Sequence, residues 1–93
     1  MAVDYEWCVE IVDCHGDIVT SYHSDTLTQA IDWAEDDGTC SICLVRTADN
    51  GDRAWAYLTD DGRLPAYFAD SSGHDTTKVP QRFHRETERM VAR

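Results

Sequence analysis

Tyr5-Glu6-Trp7-Cys8-Val9-Glu10-Ile11-Val12-Asp13 changes character at almost every step. On an extended chain Tyr5, Trp7, Val9 and Ile11 fall on one side, and Glu6, Cys8, Glu10 and Val12 on the other. Residues 5–13 therefore read as a half-buried β-strand. Cys14-His15-Gly16-Asp17 follows as a turn in which glycine is free to take positive φ. Ile18-Val19-Thr20-Ser21-Tyr22-His23 is β-branched and aromatic, and returns as the second strand of a hairpin.

Outward from this hairpin, Ser24-Asp25-Thr26 opens a helix. Thr26 and Gln29 have capping-box spacing, with Asp25 as an alternative cap. Leu27, Ala30, Ile31 and Ala34 make an apolar stripe at i, i+3, i+4 and i+7. Asp32 and Asp36 lie one turn apart on the opposite side, Trp33 and Glu35 flank the stripe, and Gly38 stands where a left-handed cap is needed. Residues 40–47 are apolar on both faces, Ile42 and Leu44 against Cys43 and Val45, as a central strand requires. Asp49-Asn50-Gly51-Asp52 is a hairpin turn. Residues 53–59 return with Trp55 and Tyr57 on one face and Ala54, Ala56 and Leu58 on the other. Residues 63–69 have the composition of a further short strand, which Pro65 would keep at the sheet edge. After a polar loop over 70–77, Pro80 suits the first turn of a closing helix over 80–92, with Phe83, Thr87, Met90 and Val91 as its apolar side. The expected fold is α+β: an antiparallel sheet of four to five strands with two helices packed mainly on one face, in the order β-β-α-β-β-(β)-α.

The chain has 93 residues, which makes one domain over 1–93. With 42% apolar residues it can bury a core despite its charge. No apolar run approaches the roughly 20 residues of a membrane span, and residues 1–6 lack a basic, apolar leader. A cytoplasmic location without membrane contact is expected, with Cys8, Cys14, Cys40 and Cys43 as free thiols. Eighteen acids face eight bases, a net charge of −10. Residues 1–77 carry 16 acids against Arg46, Arg53 and Arg63, whereas 78–93 are net basic. Such a body repels nucleic acid and anionic membranes and attracts basic surfaces. Arg82, Arg85, Arg89 and Arg93 share one helix face and are expected to dock on that acidic body.

Signatures of chemistry are thin. Cys40-x-x-Cys43 has zinc-ligand spacing, and Cys14-His15 could complete a set. However, a Cys-x-x-Cys zinc motif sits on a tight turn that lets both sulfurs converge, whereas on a strand positions i and i+3 point to opposite faces. No metal or cofactor is expected. His15, His23, His74 and His84 fall in turns or near element ends, away from any nucleophile motif. The many paired acids read as solvated surface, because a domain this small has little room for a deep cleft.

In its length, its charge of −10 and its lack of a catalytic signature, the chain resembles small acidic phage-encoded inhibitors of host defence, the anti-CRISPR and DNA-mimic anti-restriction proteins. Leu44-Val45-Arg46-Thr47, Trp55-Ala56-Tyr57, Leu64-Pro65-Ala66-Tyr67-Phe68 and Lys78-Val79-Pro80-Gln81-Arg82-Phe83-His84 also resemble segments of short proteobacterial and phage proteins. The resemblance implies a non-catalytic binding protein and carries no site residues with it. The expectation is an inhibitor whose acids, Glu6, Glu10, Asp32, Glu35, Asp36 and Asp37, occupy the basic nucleic-acid groove of a host nuclease or CRISPR complex, with no direct contact to nucleic acid. The alternative is a small adaptor module that uses Trp33 or a sheet edge.

Overall fold

The computed structural model describes residues 3–37, 40–59, 61–69 and 77–91. The elements are β1 (Asp4–Val12), β2 (Ile18–Ser24), α1 (Leu27–Asp37), β3 (Cys40–Thr47), β4 (Arg53–Tyr57) and α2 (Gln81–Val91). The four strands form one antiparallel sheet in the order β2-β1-β3-β4. β1 and β2 make the first hairpin and β3 and β4 the second. Because β2 and β3 both run antiparallel to β1 on either side of it, α1 is the crossover that carries the chain over β1.

The period-two pattern of β1 sets the layers. Trp7 and Val9 enter the main core with Leu27 and Ala30 of α1, Leu44 of β3, and Ala54 and Ala56 of β4. Leu64, Phe68 and Val79 close it from the segments after β4. Both helices meet this face of the sheet: α1 packs on β1, β2 and β3, and Phe83 of α2 packs tilted against Tyr5 and edge-on to Trp7 at ring-centroid distances of 5.2 and 6.0 Å. Trp7 Nε1–H donates to Glu86 Oε1 at 2.9 Å and so ties β1 to α2. Among the described residues the other face is covered by no helix, and this open face holds a smaller cluster of Cys8, Cys43, Val45 and Trp55.

Local chemistry follows the pattern of the sequence. The Thr26 hydroxyl accepts the Gln29 N–H (3.3 Å), as an N-cap does. The reciprocal arm is rerouted: Gln29 Oε1 accepts the Ser24 hydroxyl (2.9 Å), and Ser24 Oγ accepts the Thr26 N–H (3.1 Å). Gly16 and Gly51 take φ of 84° and 90° in their turns, with nothing within 4 Å of an added Cβ. Gly16→Ala or Gly51→Ala should therefore cost backbone strain alone, about 1 kcal/mol each by urea denaturation. A cost near zero would show that these turns relax to another conformation.

Two sequence expectations change. Residues 63–69 form no strand. They meet the sheet through one isolated bridge, Trp55 with Ala69, whose two hydrogen bonds measure 2.8 and 2.9 Å, and they meet the following segment through Tyr67 and Lys78. Pro65 and the turn that precedes it leave too little extended chain for a ladder. α2 begins at Gln81, one residue beyond Pro80, whose carbonyl accepts the Phe83 N–H (3.1 Å). The expected Gly38 cap, residue 60 and the loop over 70–76 lie outside the described residues. No helix among the described residues is long and apolar enough to cross a membrane.

Candidate functional site

The expected binding residues fall on two opposite sides of the sheet. Glu6 and Glu10 belong to β1 and alternate with Trp7 and Val9, so they lie on the open face, away from both helices. Asp32 and Glu35 are exposed on α1, which covers the other face. Asp36 and Asp37 continue α1, and their side chains lie outside the described residues. One contiguous patch of all six acids is therefore not formed. The sequence pattern held this information, since a strand's polar positions point away from the layer its apolar positions bury.

On the open face Glu6 and Glu10 are already engaged. His23 Nδ1 lies 2.9 Å from Glu6 Oε1 across the β1–β2 pair. The Tyr57 hydroxyl donates to Glu10 Oε1 at 2.5 Å. Between them Cys8 and Cys43 stand directly opposite one another on β1 and β3, both buried. Burial raises the Cys43 thiol well above its ordinary value, with the neighbouring Cys8 and Glu10 adding to it. Burial also raises Cys8, with Glu10 second. A nucleophilic cysteine needs the opposite shift, so this pair packs as small apolar groups. Burial and the bond to Glu10 likewise raise the Tyr57 phenol. Cys14 is exposed in the first hairpin turn, far in register from Cys43. Among the described residues no three metal-binding side chains converge.

Trp33 is half-buried. It packs against the main core and stacks on Tyr22 of β2 at 5.3 Å. The pair joins the side of α1 to the β2 edge and leaves part of both rings in solvent. Arg82 meets the acidic body through aromatic rings, with no ion pair among the described residues. Its guanidinium lies 5.5 Å from the Tyr5 ring centre and 4.6 Å from that of Phe83, in an open groove also lined by Asp4, Asp25 and Glu86. Arg85 and Arg89 are exposed, and neither makes an ion pair among the described residues. Arg93 lies outside them.

The two edges of the sheet differ, a feature that element prediction does not reach. The outer side of β4 is bridged by Ala69. Among the described residues nothing pairs with the outer side of β2. The Leu58 N–H bonds the Ile42 carbonyl, so even-numbered residues of β3 face β4 and odd-numbered residues face β1. Carried through the register, this alternation turns Thr20, Tyr22 and Ser24 inward to β1 and the backbone of Ser21 and His23 outward. Val19 is the unpaired residue of a bulge between the Ile11–Thr20 and Val12–Ile18 pairs.

Against protein-family models, curated proteins and solved structures, the chain has no match.

Proposed function

We propose that this chain is a non-catalytic inhibitor that binds a protein with a basic nucleic-acid groove, such as a nuclease or CRISPR complex, and excludes the nucleic acid from it. The observation that carries this reading is the acidic outer side of α1. Asp32 and Glu35 are both exposed and lie one turn apart, with Asp36 and Asp37 following in the same helix. Side chains at this spacing start about 5–6 Å apart, close enough to stand in for neighbouring phosphates on a rigid support. The net charge of −10 steers the whole chain toward basic surfaces. Glu6 and Glu10 contribute to that field from the opposite face and lie outside the α1 contact.

The test is capture of nucleic-acid-binding proteins from a bacterial extract on the immobilised chain, washed at low and high salt, followed by displacement of duplex DNA from the captured protein. Binding should weaken as salt rises. Asp32→Lys combined with Glu35→Lys should reduce affinity at least tenfold, about 1.4 kcal/mol, with an unchanged thermal melt. A double variant that binds and displaces DNA like the parent would remove α1 from the contact and sink this reading.

A further inference from the structure

We infer that the bare edge of β2 is a strand-addition site for an extended segment of the partner in which Lys or Arg alternates with apolar residues. The inference rests on the reading of a basic protein partner and adds the mode of contact. Ser21 and His23 present outward N–H and C=O groups that have no partner among the described residues. An added antiparallel strand would satisfy both residues, as peptides do on other exposed sheet edges. The opposite edge is bridged by Ala69, so β2 is where such a strand fits.

The chemistry of the added strand follows from the two faces beside the edge. On the helix side the strand's residues meet Tyr22, 38% exposed, and Trp33 stacked on it. These call for apolar or β-branched side chains. On the open side they run beside Ser21 and His23, with Glu6 and Glu10 one strand further in. A lysine or arginine stem spans that separation and brings its charge to the carboxylates. β2 itself holds no carboxylate, lysine or arginine, and its one titratable side chain on the open face, His23, is engaged with Glu6, while Asp17 precedes the strand and Asp25 follows it. A second copy of this chain is the poorer occupant. It would bring another −10 charge and its own Asp17 and Asp25 to an edge that the Val19 bulge already shortens.

The probe is an acetylated, amidated Lys-Val-Lys-Val-Lys-Val-Lys peptide in two N-methylated forms of equal charge and composition. Lysines on the open side lie opposite Ser21 and His23, so their backbone N–H groups make the ladder, while valine N–H groups point away. Methylation on the valines should preserve binding, and methylation on the lysines should weaken it at least tenfold. The Ser21 and His23 amides should gain protection from hydrogen exchange with the first peptide alone. Ser21→Pro removes one outward donor without touching the β1–β2 ladder and should weaken the valine-methylated peptide by a similar factor. If that variant does not fold, the peptide pair still decides. Equal binding of the two peptides would show attraction by charge alone and overturn the edge site, whether or not a basic protein is captured. Protection of Ser21 and His23 that rises with the chain's own concentration, and that the peptide cannot displace, would also overturn it by assigning the edge to a second copy. Failure of the parent chain to capture any basic protein sinks the functional reading instead, whichever peptide binds.

Discussion

Trp7→Ala is expected to lower stability by about 3–5 kcal/mol, the range for deleting a large aromatic from a packed core. Trp7 is 1% exposed, sits in register with Leu44 and meets the edge of Phe83. Removing it opens a void between the sheet and α2, and also deletes the donor to Glu86. A domain of this length has roughly 5–15 kcal/mol in total, so the variant should melt some 15–30 °C lower. Trp33→Ala supplies the contrast, because its half-exposed ring loses less buried area and should cost about half as much or less. Glu86→Gln keeps an acceptor for the indole and should be nearly silent, while Glu86→Ala should cost about 1 kcal/mol. Equal melting temperatures for Trp7→Ala and Trp33→Ala would contradict the assignment of the core to the helix side of β1.

Alkaline pH should produce the second large effect. Cys8 and Cys43 are both raised above the ordinary thiol value of 9.0, mainly by burial. Above pH 9 the unfolded chain gives up protons that the folded chain keeps. The unfolded state is thereby favoured, so this contribution is fully present below pH 9 and is lost as pH rises further. Each thiol can impose a slope of up to about 1.4 kcal/mol per pH unit. The coupled pair should remove roughly 2–3 kcal/mol by pH 10.5, measured by urea denaturation with reductant present. Cys43→Ala should start from a lower stability but flatten this alkaline slope. If its slope equals that of the parent, the cysteines do not control the loss, and Tyr57 or general charge repulsion does.

The faces of the elements were legible in the sequence, and their neighbours were not. The alternation over residues 5–13 separated Trp7 and Val9 from Cys8 correctly, and the apolar faces of residues 40–47 placed β3 inside the sheet. β1 proved equally central, although Glu6 and Glu10 disguised it. Those acids are tolerated beside buried thiols because His23 reaches Glu6 from the adjacent β2 and Tyr57 reaches Glu10 from β4, across β3. Such partners depend on which strand lies next to which, and hydrophobic period carries no record of that. The same limit explains the acids. Composition shows that many are present, but only the layer order shows that β1 and α1 display them on opposite sides. The Ala69 bridge was legible only as a weak strand, since one pair of hydrogen bonds needs no alternating run.

The sheet is finished at one end and unfinished at the other, and this decides what kind of growth it permits. An object with two sticky ends can chain without limit. Among the described residues this one has a single uninterrupted edge, because the far edge is broken at its middle by the Ala69 bridge to Trp55. A strand that joins at β2 therefore finds no continuous edge on the opposite side through which to seed a third member. Even at high concentration, misassociation through the sheet should stop at two bodies and give discrete species in place of fibres.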